Sequence, residues 1–458
     1  MRRTHRPGLT RRGLLQGLAA TGGLAAFGGA GIMPRLAHAQ AHPDAQDRHY
    51  IFCYFGGGWD ILLGLDPRDP AVFTNENLRT TRIQPGYELL QSSEGFLVEA
   101  PNGMIFGPHI GDLVRHADKM SVIRGMSMET LTHEVGRRRF ITGKAPSGLQ
   151  ARGSSAVTWL ADRLGSDQPV PNLSMRVEGY NKGLADYASP LRVNSTADLL
   201  RSLTPGAGAE LSPAVDRQVD ALLANMAQCP GPRRAPVWRA AEGGRLKARE
   251  MVGQGLDTLF DFESAQNPDV AALRDRYGII GNGGNDPARM AAFAAQAIMG
   301  GVSRCVSVQI TSGLDTHFEN WETDQGTRQQ AGFDAIARLV DHLYETEYGN
   351  TGTRWLDHTI IVGFSEFSRT AMINDRGGRD HSLTNACFLM GGPIQSGIIG
   401  RSSDIGLEPT ATNLQTGLSD AGGEVIRPEH VLQTLFEDVG IGAAPDLRVS
   451  PIQAMLRR

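Results

Sequence analysis

Five short, largely apolar runs, at 50–55, 120–124, 304–310, 360–364 and 386–390, constrain this 458-residue chain more than any other feature. Runs of this length without polar alternation fit strands buried on both faces of a sheet. Several give way at once to glycine and to acidic or basic residues, as in Gly56-Gly57-Gly58-Trp59-Asp60 and Ser365-Glu366-Phe367-Ser368-Arg369-Thr370. In an open α/β sheet, such residues fall at the carboxyl edge, where binding sites are built. Between the third and fourth runs, Phe333, Ile336, Leu339, Val340 and Leu343 recur at helical spacing with Asp, Arg and Glu among them. Strand, helix, strand in this order predicts an α/β fold with a mostly parallel central sheet flanked by helices.

The segment 150–284 reads differently. Helical stretches at 214–226 and 245–262 are separated by Gly/Pro-rich turns and a Pro/Arg cluster at 229–236. We expect a mainly helical insertion over the carboxyl edge of the sheet, within one α/β domain covering 46–458.

At the amino end, Thr10-Arg11-Arg12-Gly13-Leu14-Leu15-Gln16 precedes a Gly/Ala-rich apolar segment that reaches Ile32, and Ala37-His38-Ala39 offers a small-x-small cleavage site. This pattern predicts a twin-arginine signal peptide over 1–39, the twin-arginine export machinery as a partner, and a periplasmic or secreted product. The apolar segment is too interrupted by glycine to predict a stable membrane span after cleavage. Residues 1–39 hold six arginines and no acid, so without them 45 basic residues become 39 against 49 acidic, and the formal charge moves from −4 to −10. That surplus of acid argues against a nucleic-acid partner. Cys53, Cys229, Cys305 and Cys387 are scattered, form no CxxC pair and imply no disulfide framework.

Chemistry-bearing residues gather after the apolar runs. Asp60 follows the first. Thr132-His133-Glu134-Val135-Gly136 leads into Arg137, Arg138 and Arg139 and on to Lys144. Asp315 and His317 follow the third run, Glu366 and Arg369 the fourth, and Asp380-His381 lies eleven residues after Arg369 in a Gly-rich loop. Carboxylates and imidazoles at one edge suit a divalent metal, and hydroxyls with cations suit transfer of an anionic group to water. Each element also has an ordinary structural explanation. Asp60 fits a simple turn, Asp315 a helix cap and His317 a surface histidine. Arg137 to Arg139 fit a solvated helix face, and Glu366 with Arg369 a salt bridge. The case for chemistry rests on their arriving together after separate strands.

These segments together resemble the exported bacterial family called domain of unknown function 1501, through Gly-Gly-x-Asp, Thr-His-x-x-x-Gly, Gly-x-Asp-Thr-His, Ser-Glu-Phe-Ser-Arg-Thr, Gly-x-Asp-His and the closing segment Arg427 to Ile441. That family is similar to the alkaline phosphatase and sulfatase superfamily. The resemblance implies an alkaline phosphatase-like sheet and one or two divalent ions (Zn, Mn, Mg or Ca) held by Asp60, Asp315, His317, Glu366, Asp380 and His381. It further implies Thr132 as nucleophile, with His133 as the alternative catalytic residue, and Arg137, Lys144 or Arg369 as the cation that binds substrate. Ser365-Glu366-Phe367 lacks the histidine usual beside the metal carboxylate, so one of two metal sites is expected to be altered, single or empty. No Cys-x-Pro-x-Arg segment is present, which argues against a formylglycine sulfatase. The expected function is an exported metal-dependent hydrolase of phosphate or sulfate esters, acting on an anionic small-molecule or polymer substrate. The alternative is a non-catalytic metal-binding or scaffold protein of the same fold.

Overall fold

The computed structural model describes residues 43–91, 96–203, 212–231, 242, 246, 257–264 and 267–457. The predicted signal peptide lies outside the described residues, as do most of the 229–236 cluster and of the 245–262 stretch.

In chain order the strands are β1 (His49–Phe55), a short pair β2 (Val98–Glu99) and β3 (Ile105–Phe106), β4 (Met120–Ser127), β5 (Asn172–Met175), β6 (Leu191–Val193) and β7 (Cys305–Thr311). They continue with β8 (Thr359–Ser365), β9 (Ser368–Arg369), β10 (His381–Ser382), β11 (Thr384–Met390) and β12 (Gly397–Ile399), and close with the pair β13 (Ala411–Thr412) and β14 (Glu424–Val425). Eight of them form one sheet in the order β12-β4-β11-β8-β1-β7-β5-β6. Every neighbouring pair is parallel except the two that β11 makes, with β4 and with β8. The chain leaves β8 at the carboxyl edge and stays there through β9 and β10, so β11 returns from that edge and must run backwards. The predicted α/β class, mostly parallel and flanked by helices, is the one observed.

Burial explains the apolar runs. All seven residues of β1, β8 and β11 are buried. Along β1 the side chains alternate between two cores. Ile51, Cys53 and Phe55 pack with the Pro287–Met299 and Gly326–Glu345 helices, whereas Tyr50, Phe52 and Tyr54 pack with the His133–Thr142, Ala156–Leu164 and Pro428–Asp438 helices. The five periodic apolar positions of the Gly326–Glu345 helix are all buried. No helix among the described residues is long and apolar enough to cross a membrane.

The segment 150–284 carries helices, among them Ala156–Leu164, Pro213–Gln228 and Pro268–Tyr277. It also supplies β5 and β6, which extend the sheet sideways beyond β7. Asn172-Leu173-Ser174-Met175 is four residues long and half polar, too weak a pattern to read as a strand by itself. The segment thus continues the sheet's lateral margin, rather than only covering its carboxyl edge.

Candidate metal centre

The three central strands end level, because Phe55 of β1 lies opposite Ser365 of β8 and Thr311 of β7. Their following loops meet at one rim, joined by the loop leaving β4 and by β10. Gly57 permits the contact. Its φ is +114°, and a Cβ there would lie 2.7 Å from the backbone nitrogens of Leu314 and Asp315.

Asp315 sits at the middle of the rim. Its Oδ1 is 3.0 Å from His317 Nε2 and 3.2 Å from His381 Nε2, and its Oδ2 is 3.4 Å from His133 Nε2. One ligand atom each from His133, Asp315 and His381 lies within 4.8 Å of the others. Every ring is held through its other nitrogen. His133 Nδ1 is 2.8 Å from Glu366 Oε1, His317 Nδ1 is 2.8 Å from Asp380 Oδ1, and His381 Nδ1 is 2.6 Å from the Leu131 carbonyl. A carbonyl and ionised carboxylates only accept, so all three Nδ1 atoms carry a proton, and the Nε2 atom of each ring is the one turned toward Asp315, placed to take a metal ion or a second proton. Metal-ligating histidines are normally supported in this way.

A second observation bears on charge. His317 Nε2 and His381 Nε2 are 3.0 Å apart. With both Nδ1 protons fixed, two lone pairs face each other, an arrangement that needs a proton or a metal cation to bridge it. Asp315 Oδ1 and these two nitrogens form a triangle with sides of 3.0, 3.2 and 3.0 Å. That is close to the ~3.3 Å edge of a tetrahedral shell built on metal–ligand bonds of about 2.0 Å. The donor set fits one divalent ion.

The electrostatics follow from these contacts. Burial works against the Glu366 charge, but the His133 hydrogen bond and the backbone N–H groups, including that of Gly57 at 2.9 Å, hold its carboxyl below the usual range. Burial also disfavours a charged His133, yet the bond to Glu366 and the charges of Glu366 and Asp315 outweigh it and raise the imidazole. Asp315 is drawn down to about 2 despite burial, chiefly by the hydrogen bond and charge of Arg369 and by His381. Burial lowers His381, with the Leu131 carbonyl and Asp315 opposing. The His317 hydrogen bond is the foremost cause that lowers Asp380.

The expected metal ligands therefore separate. Asp315, His317 and His381 come together as expected, and His133, read as catalytic, presents its Nε2 to the same place. Glu366 stands behind His133 instead of at the centre. It is 1% exposed, its Oε1 takes the His133 and Gly57 donors, and its Oε2 accepts from Ser365 Oγ at 2.9 Å. Asp380 stands likewise behind His317, and its Oδ1 also accepts from Asn374 and Arg376 at 3.2 Å. Asp60 does not face the centre at all. It is fully buried, with Oδ2 accepting from Trp321 Nε1 at 2.9 Å and lying 3.0 Å from Arg379 Nε, while Oδ1 accepts from the Leu62 amide at 3.0 Å. Its charge faces the buried Arg379 guanidinium.

Thr132 is the exposed N-cap of the His133–Thr142 helix, between His133 and the Leu131 carbonyl that holds His381, and its side chain makes no capping bond. Of the three expected substrate cations, Arg137 donates to Glu178 at 2.7 Å. Lys144 lies past the far end of the helix, about 16 Å along the axis from His133. Arg369 is inside the site but donates to Asp315 Oδ1 at 2.6 Å. Sequence reasoning missed Arg379 and the Leu131 carbonyl. Arg379 directly precedes Asp380-His381 and offered some signal, whereas a backbone carbonyl leaves none. No curated protein matches the chain. The family model described as protein of unknown function (DUF1501) matches residues 47–417, and the chain belongs to that family.

Proposed function

We propose that the chain is an exported metal-dependent hydrolase of phosphate or sulfate esters that holds one divalent ion on Asp315, His317 and His381. The observation that carries this reading is the convergence of three Nε2 atoms on one carboxylate, each ring fixed from behind. Two imidazoles and a single carboxylate suit Zn or Mn better than Mg or Ca. When bound, such an ion supplies Lewis acidity that polarises the ester and lowers the pKa of the attacking oxygen.

Proton transfer falls to His133. Buried Glu366 fixes its ring and steadies the charge it acquires, so Nε2 accepts the proton of the attacking oxygen, either the Thr132 hydroxyl or a water. The amino end of the His133–Thr142 helix opens at the same rim and favours an anionic ester group. The likeness of the motifs to alkaline phosphatases and sulfatases supports the same reaction class. Export rests on the paired arginines, and Arg11→Lys with Arg12→Lys should leave unprocessed chain in the cytoplasm, while continued cleavage near Ala39 would contradict that route.

One observation favours a non-catalytic, metal-binding role instead. Arg137 is committed to Glu178 and Lys144 is remote, which leaves the rim few cations for a substrate anion. A screen of phosphate mono- and diesters and sulfate esters with metal-loaded chain decides between the two. The hydrolase reading expects turnover that falls at least a hundredfold in His133→Ala. Loss in Thr132→Ala as well assigns the nucleophile to Thr132, and retention assigns it to water. Bound metal with no turnover on any ester favours the scaffold reading.

A further inference from the structure

Resting on that metal reading, we infer that Arg369 is a fixed positive charge built against the centre's one carboxylate ligand, which restricts the centre to a single, exchangeable ion. Arg369 is 1% exposed and anchored on several sides. Its Nε donates to the Gly58 carbonyl at 3.0 Å, Nη1 to the Arg379 carbonyl at 3.3 Å, and Nη2 to the Gly57 carbonyl. The guanidinium cannot swing away. From this position Nη2 reaches Asp315 Oδ1 at 2.6 Å and Nη1 lies 3.4 Å from His317 Nε2, so it touches two of the three ligand atoms.

The charges of Glu366 and Asp60 also favour the guanidinium, but each of the surrounding acids is hydrogen-bonded or ion-paired to another group. Glu366 is paired with His133, Asp380 with His317 and Arg376, and Asp60 with Arg379. Asp315 is the carboxylate left for Arg369, through the same oxygen that faces both His317 and His381. A dication on that oxygen lies within a few ångströms of a guanidinium that has nowhere to go, and at such range the repulsion is large even at the effective dielectric of a protein surface. Affinity is reduced accordingly. Of these four acids, none is left unpaired for a second ion.

The consequence has a sign that separates it from other roles. A residue that merely clamps substrate leaves metal affinity unchanged, and one that props up the ligands lowers affinity when removed. Here, removal should raise it. The test is zinc titration of the purified mature chain against a competing chromophoric chelator, with folding of each variant checked by thermal unfolding. We expect one zinc per wild-type chain, binding about tenfold tighter or more in Arg369→Gln, and affinity near wild type in Arg369→Lys, which keeps the charge. Equal or weaker binding by folded Arg369→Gln, or two zinc ions per wild-type chain, overturns the inference while leaving the metal reading intact. Should Arg369→Gln not fold, the wild type alone decides. Zinc stripped by EDTA within minutes supports the inference, and zinc retained through overnight dialysis against EDTA overturns it. A wild-type chain that binds no zinc at all removes the metal reading and this inference together.

Discussion

Asp60 and Asp315 each follow a strand and a glycine, yet their surroundings differ completely. Asp60 has no exposed surface and neutralises Arg379, whose guanidinium also lies 4.6 Å from the Trp321 ring. Asp315 keeps 47% of its side chain exposed at the rim. Removing one partner of a buried ion pair leaves the other charge uncompensated, at a cost of about 3–5 kcal/mol. Asp60→Asn should therefore lower stability by that order in urea unfolding while metal stoichiometry stays at the wild-type value. Loss of metal with stability unchanged would return Asp60 to the ligand set. Nothing local distinguishes the two aspartates, because the partner of Asp60 lies far along the chain, so the sequence could mark both positions as rim acids without ranking them. Glu366 was legible as part of the site for the same reason, but its role was not. Only the spatial approach of His133 reveals that Glu366 stands behind that ring, hydrogen-bonded to its Nδ1.

The His133–Thr142 helix carries much of the site on a short element, since it delivers His133 and lies directly after the Leu131 carbonyl that orients His381. Its seat on the sheet depends on Gly136, where a Cβ would come 2.2 Å from the Glu366 carbonyl oxygen. In an open helix, Gly→Ala usually stabilises by about 1 kcal/mol. At Gly136 the sign should reverse, with a loss of about 1–3 kcal/mol from overpacking against the Glu366 backbone just past β8 and weaker zinc binding as the helix start moves off the rim. A stabilised Gly136→Ala with unchanged zinc affinity would show that the helix position does not govern the site. At this scale the apolar runs told the central strands well, since burial on both faces leaves an unbroken hydrophobic signature. The direction of β11 was hidden, because it depends on where the chain turns rather than on which residues form the strand. β5 and β6 were hidden because four- and three-residue strands barely register as a pattern.

The described residues are built around one eight-stranded sheet with two cores, and their stability should depend on pH through histidines remote from the site. Burial, followed by Arg304, lowers His49 to about 3, and burial, followed by Arg276, lowers His342 to about 4. In the unfolded chain both regain ordinary values near 6.5. Between about pH 6.5 and 4 the unfolded state thus binds more protons than the folded state, and stability falls as the pH falls, by up to about 1.4 kcal/mol per pH unit for each group. Urea midpoints of metal-free protein should decline from pH 7 to pH 5, and His342→Gln should flatten part of that slope. An unchanged midpoint would mean that both rings are solvated. The account as a whole turns on whether His317, His381 and Asp315 hold an ion. Metal analysis of the mature chain purified without chelator, in wild type and in Asp315→Ala, His381→Ala and Asp60→Asn, tests this most directly. One divalent ion per chain is expected in wild type and Asp60→Asn, and less than a tenth of that in Asp315→Ala and His381→Ala. A wild type that stays metal-free in saturating zinc, or an ion that survives loss of Asp315 and His381, would contradict it.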